Sequence, residues 1–269
     1  MPFRRLSLLS KLPFMSDTPV STTQGRVIRA ALIIFPFGTV ILGIASFGIW
    51  WTKKVKVEER GYKYALALRR DLTEAGLQRH VDILKDVMSQ PDAQKIPSVA
   101  AYLESSMGAE NMGYQVRRVR FQKESLELAN VDVELTGKTR FREVVLLLVP
   151  YGDPARLSAE VHSIALLMSL AHAITGEAGS QTLRLAVVPV GAEKGAIERF
   201  VSAARGKDER FMQVLVAGAP SKETMKALNE AFRVQETGTV ITALPDTEDT
   251  PTTLAAAQAL KARLLKAVE

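Results

Sequence analysis

The sequence contains no cysteine. Disulfide frameworks, thiol nucleophiles and cysteine-type zinc sites are therefore excluded, and the redox compartment stays open. Histidine is almost as scarce, with His80, His162 and His172 forming the complete set. Aromatic residues make up 6% of the chain, too few for the stacked rings that hold single-stranded nucleic acids. The net charge of +6 is spread along the chain, so no nucleic-acid partner is expected. Three motif classes are missing as well: a glycine-rich strand-to-helix loop for phosphate, a Gly-x-Ser-x-Gly elbow and a His-Glu-x-x-His helix.

What is present starts with one long apolar run. Residues Ala30 to Trp51, AALIIFPFGTVILGIASFGIWW, carry no charge. As a helix they would extend about 33 Å, enough for a hydrocarbon core of roughly 30 Å. Trp50 and Trp51 would fall at the interface, Lys53, Lys54 and Lys56 in the headgroup zone, and Pro36 near the start of the span. A cleaved signal peptide has an apolar region of only about 7–15 residues, and no Ala-x-Ala cleavage site precedes the lysines. The expectation is a single-pass membrane protein with the lipid bilayer as partner through Ala30–Trp51. Basic residues flank both ends of the span, so the positive-inside rule does not orient it.

The rest divides by pattern, giving a tail (1–29), the span (30–51), a helical stalk or packing helix (52–95) and an α/β domain (96–269). A helix through AAYLESSMGAENMG stops at Gly113, and two strand-like runs follow, YQVRRVRFQ and LELANVDVELTG. A change of apolar phase at Ala129–Asn130 predicts a bulge or bend, and Arg117, Arg118 and Arg120 read as a solvated strand face. From Glu143 strands and helices alternate: EVVLLLVP, TLRLAVVPVG and FMQVLVAGA are continuous apolar strands separated by helices, before a short TGTVITAL strand and a last helix. This order predicts a three-layer α/β/α fold with a mostly parallel central sheet. Ligands in such sheets bind beyond the carboxyl ends of the strands, which places VPYGDPARLSAE, VGAEKG and LPDTEDTP at the expected site.

The run AAYLESSMGAENMGYQVRRVRFQ and, further on, LANVDVELTGKTRFREVVLLLVPYGDP resemble the di-zinc aminopeptidase family, metallopeptidase family twenty-eight, which also contains glutaminyl cyclases. The resemblance covers about Ile96 to the C-terminus and implies a zinc-exopeptidase-like fold. It implies a metal site only where the family's ligands recur, and here they do not. Where the family has His-Tyr-Asp at a strand end, this chain has Pro150, Tyr151 and Gly152, with Asp153 one place late. The bridging Asp falls near Ala159, a further Asp near Leu215 and the last His near Pro245. Of the family's Glu-Glu pair, the general-base position is Glu193 and the ligand position is Lys194. An ammonium at a cation's place repels that cation and can pair with Glu193.

The residues point the same way without the resemblance. A zinc pair needs imidazoles and carboxylates converging at about 2.0–2.2 Å. His162 and His172 share a helix but stand about three turns apart, and His80 lies in the stalk region. Glu193 reads first as a residue that begins a helix, and second as a catalytic base. Asp246, Glu248 and Asp249 could be a hard-cation cluster, or Asp249 or Thr250 caps the last helix with Pro251 in its first turn. The leading expectation is a membrane-anchored, catalytically inactive peptidase-like domain that binds or assembles with a protein partner. It uses no metal and no cofactor, keeps a remnant cleft around Tyr151, Asp153, Glu193 and Lys194, and sits outside the cytoplasm. The alternatives are an aminopeptidase or cyclase-type hydrolase with an altered site, and a lipid grip by Lys53, Lys54 and Lys56 at about 1 kcal/mol each.

Overall fold

The computed structural model describes residues 22–123, 126–153, 156–177, 179–193, 195–205, 208–218, 220–233, 240–244, 247 and 249–269. The chain divides into two compact units, Met1–Glu58 and Glu59–Glu269.

The first unit holds most of helix α1 (Thr22–Leu68). Residues Ile34–Val57 of α1 form a 24-residue stretch of mean hydropathy 1.7 with none of its surface buried, long and apolar enough to cross a membrane. Large side chains such as Phe35, Leu42 and Ile44 lie exposed along it. Thr39 Oγ1 donates to the Pro36 carbonyl (2.8 Å), which gives the hydroxyl a partner inside the apolar helix. At the far end Phe47, Trp50 and Trp51 pack ring against ring, and the Lys54 ammonium lies 5.5 Å from the Trp50 ring. The helix runs on to Leu68, well past the run expected from Ala30 to Trp51.

The second unit contains a six-stranded sheet of order β1-β2-β4-β3-β5-β6, formed by β1 (Arg117–Lys123), β2 (Leu126–Leu135), β3 (Arg140–Pro150), β4 (Gln181–Val188), β5 (Arg210–Val216) and β6 (Val240–Ala243). Strands β3 to β6 run parallel, while β1 and β2 add two antiparallel pairings at one edge. Helices α4 (Leu157–Ile174), α5 (Gly195–Arg205) and α6 (Lys222–Arg233) connect the parallel strands. Helices α2 (Glu74–Met88) and α3 (Asp92–Met107) precede the sheet, and α7 (Thr250–Val268) ends the chain.

Strand β3 shows how the continuous apolar runs work, because alternate side chains enter different cores. Val145, Leu147 and Val149 join residues of α2, α3, α4 and α7, whereas Val144, Leu146 and Leu148 join residues of α5 and α6. Each fully buried Val or Leu contributes about 1.5–3 kcal/mol. Helix α4 is apolar over most of its surface and is buried along nearly its whole length. Helix α2 starts at Thr73, whose hydroxyl accepts from Gly76 N, and turns Leu77, Val81, Leu84 and Met88 into the first core.

Two sequence expectations are corrected here. The register between β1 and β2 is continuous through Ala129 and Asn130, so the apolar phase change marks no bulge. Beyond that point the other face of β2 carries a polar network. Asn130 donates to Ala196 O (3.0 Å), Asp132 takes a two-point contact from Arg117 (2.9 and 2.6 Å), and Glu134 meets Arg184 (2.7 Å). Arg184 is fully buried and also pairs with Glu209. Arg117 and Arg118 are accordingly not a solvated face: Arg118 pairs with Glu104 (2.7 Å), and only Arg120 is left largely exposed.

Candidate functional site

The carboxyl ends of β3, β4 and β5 are the place where a parallel sheet opens to a ligand. Strands β3 and β4 are stitched together at that end. Tyr151 N donates to Val188 O (3.0 Å) and Gly191 N donates back to Tyr151 O (2.9 Å). The two loops approach so closely that glycine is required on both sides. Gly152 has φ +97°, and a β-carbon there would lie 2.9 Å from Ala192 N. A β-carbon on Gly191 would lie 2.4 Å from Asp153 N.

A carboxylate fills the corner that remains. Glu160, in the first turn of α4, accepts from Gly152 N (2.9 Å) and Asp153 N (2.8 Å). It keeps only 5% of its exposure. Burial pushes its carboxyl up to about 7, against the opposing pull of those two amides. Glu160 is adjacent to Ala159, where the resemblance puts the bridging aspartate, yet its oxygens are spent on backbone amides. Sequence reasoning passed over it, although an acidic residue in the first turn of a buried helix is a usable signal. The cavity left among Pro150, Asp153, Arg156, Glu160, Gly191 and Thr224 measures about 10 Å³, at the lower limit for one water molecule.

The predicted site residues are not brought together as one set. Tyr151 lies in the first core with its ring buried and its hydroxyl without a partner, and burial pushes its ionisation far above the ordinary phenol range. Asp153 lines the small cavity. Glu193 does not line it: its carboxylate accepts from Gly195 N (3.1 Å), at the start of α5, and meets Lys123 Nζ at 3.2 Å. The Gly195 amide first, and Lys123 second, hold its carboxyl below the usual range, which makes it a weak base. Lys194 lies outside the described residues. Among the described residues the cation that Glu193 pairs with is Lys123, which comes from β1 and also donates to Ala192 O (3.0 Å). Nothing in sequence spacing linked the two.

The remaining candidates are also placed. His162 is buried with Nδ1 2.9 Å from Ser158 O, a helix-internal contact. His80, expected in a stalk, has Nδ1 2.6 Å from the Tyr102 hydroxyl and shares a cavity with His172. Asp249 caps α7 by accepting from Thr252 N (2.8 Å). Asp246 and Glu248 lie outside the described residues. Among the described residues no three His, Asp or Glu side chains gather as metal ligands would.

No family model matches the chain, and no curated protein matches it in sequence. The fold recurs among solved structures. A Bacteroides vulgatus protein assigned as a zinc-dependent exopeptidase aligns over 72% of this chain and 96% of its own, at 10% identity and a TM-score of 0.54. Glutaminyl cyclase from Tannerella forsythia covers 71% and 97% (8% identity, TM-score 0.53). That from Bacteroides thetaiotaomicron, bound to N-acetylhistamine, covers 72% and 97% (8% identity, TM-score 0.51). The second unit therefore has a fold like that of zinc-dependent exopeptidases and glutaminyl cyclases. At such identities the likeness concerns the fold alone.

Proposed function

We propose that this chain is a membrane-anchored, catalytically inactive peptidase-like module that binds or assembles with a protein partner. On this reading the second unit is a three-layer zinc-exopeptidase-like domain whose metal site has been converted into structure. The observation that carries it is the closed strand end. The loops after β3 and β4 are in contact, and Glu160 uses both carboxylate oxygens on their amides. Glu193, the position of a general base in the resembling family, serves as a helix-start acceptor and ion-pair partner instead. The space of about 10 Å³ beside the β3 and β4 loops leaves no room for an amino-acyl group there, and the cavity of about 160 Å³ beyond β5 and β6 is lined by Ser163, Ala217, Leu244 and Thr247, with no carboxylate among its described lining residues. The anchor rests on the exposed apolar stretch Ile34–Val57, and the aromatic cluster at Trp50–Trp51 suits an interface.

The test is zinc stoichiometry by mass spectrometry on the full chain in detergent, after zinc loading and desalting, alongside aminopeptidase and cyclase assays. Near-zero metal and no turnover are expected. One or two zinc ions per chain would overturn the proposal in favour of a hydrolase with an altered site. The domain is assigned to the extracytoplasmic side on the family resemblance. Because the chain lacks cysteine, a single Ser202→Cys variant reports this directly by labelling with an impermeant maleimide in intact cells.

A further inference from the structure

The cavity of about 160 Å³ lies among α4, α7 and the carboxyl ends of β5 and β6. Leu166 of α4 forms one wall, and Ala217, Gly218 and Leu244 form another just past the strands. The third wall is one face of α7, where Ala256, Leu260 and Arg263 stand at helical spacing. These walls are fixed by sheet and core. Ala217 N donates to Leu148 O (3.0 Å) and Leu244 N donates to Val216 O (2.7 Å), so the sheet's bonding continues past both strands. Leu166 and Leu260 belong to the first core. The space exists because glycine and alanine stand at Ala217, Gly218, Ala256 and Ala259, where larger side chains would fill it.

The lining is apolar inside and cationic at the mouth. The Ser163 hydroxyl donates to Ala159 O (2.7 Å), so its proton is spent within α4. Water is a poor occupant of such a space, because it needs two to four polar partners. An apolar cavity of about 150 Å³ takes up a molecule the size of benzene, and Leu166, Leu244 and Leu260 supply walls of that character here. Arg263 lies exposed at the rim, and its guanidinium makes no ion pair with a described residue. The described lining holds no carboxylate to neutralise it. Asp249, at the start of α7, is occupied by Thr252 N and stands about 21 Å from Arg263 along the helix. A ring-sized apolar space with one free guanidinium at its edge matches an amphipathic anion.

We infer that this cavity binds a small apolar carboxylate, its ring or branched alkyl body among Leu166, Leu244 and Leu260 and its carboxylate on the Arg263 guanidinium. The planar fork of an arginine takes both oxygens of a carboxylate at once. The volume sets the size of the body: one six-membered ring fills the space, and a long acyl chain exceeds it. The site is separate from the closed β3–β4 end. It goes beyond the protein-binding reading and stands whether or not the domain holds zinc.

The probe is 4-fluorophenylacetate, whose fluorine resonance is followed as the full chain in detergent micelles is titrated in, with empty micelles as the baseline. Saturable binding is expected with a Kd of about 0.1–1 mM, in keeping with so small a ligand. Ala256→Leu fills the cavity from a half-buried helix position. It should weaken binding by about tenfold or more while the melting temperature holds or rises. Arg263→Gln, at an exposed position, should weaken the acid about tenfold and leave 4-fluorobenzyl alcohol unchanged. Binding of the acid should also survive excess EDTA. No saturable signal up to about 10 mM probe, or unchanged affinity in a folded Ala256→Leu, would overturn the site. Full affinity in Arg263→Gln, or an alcohol or 4-fluorobenzylamine that binds as tightly as the acid, would overturn the carboxylate. Loss of binding with EDTA would place the probe on a metal and overturn both.

Discussion

Glu160→Gln isolates the group that closes the strand ends. Its carboxyl ionises at about 7 in the folded protein against 4.5 as a reference. Below pH 4.5 the proton is bound in both states and does not affect the balance. Between 4.5 and about 7 the folded state keeps a proton that the unfolded chain has released. Stability from this group is therefore full below 4.5, falls as pH rises, and is lost above about 7. The shift of roughly 2.5 units at 1.36 kcal/mol each gives about 3 kcal/mol. Gln cannot titrate and keeps one amide acceptor for Gly152 or Asp153. Urea unfolding of the full chain in detergent, followed by far-ultraviolet circular dichroism, measures the difference. Tryptophan emission would not serve, because Trp50 and Trp51 both belong to the apolar helix. Between pH 4.5 and 8 the wild type should lose about 3 kcal/mol more than Glu160→Gln, a relative midpoint shift of about 6–12 °C in a thermal scan. Parallel pH curves, within about 1 kcal/mol, would show that the carboxylate is solvated and the strand end open.

Three other outcomes are expected. Gly152→Ala forces a side chain onto φ +97° and against Ala192 N, and should cost about 1–3 kcal/mol in the same unfolding assay. Arg184→Met removes the cation from a buried set of Glu134, Glu209 and Asp132 and should destabilise by about 3–5 kcal/mol, far more than Arg120→Met on the exposed side of β1. The paired change Ile41→Arg and Ile44→Arg adds about 5–7 kcal/mol to bilayer insertion; the chain should then be extracted from membranes by alkaline carbonate, which the wild type resists.

How much was legible beforehand depended on the range of the interaction. The parallel strands declared themselves, since EVVLLLVP is apolar at every position and only a strand covered on both faces uses such a run. The Asp249 cap was legible for a similar reason, being a contact three residues long. The phase change in β2 was visible but its cause was not. Asn130, Asp132 and Glu134 look like an interrupted apolar pattern until Ala196, Arg117, Arg184 and Glu209 are placed against them.

By itself the sequence determined the apolar helix and the α/β alternation, because each is a property of residue type and local spacing. Tertiary structure alone decided what the surviving polar residues do. Glu193 could be read as a base until β1 brought Lys123 to it, and Glu160 attracted no notice until the loop amides of Gly152 and Asp153 fell within 2.9 Å. His80 and His172 stood in different elements until the cavity joined them. A carboxylate or an imidazole acquires its pKa and its task from neighbours that the chain delivers from a distance, and one-dimensional spacing does not encode which neighbours those are.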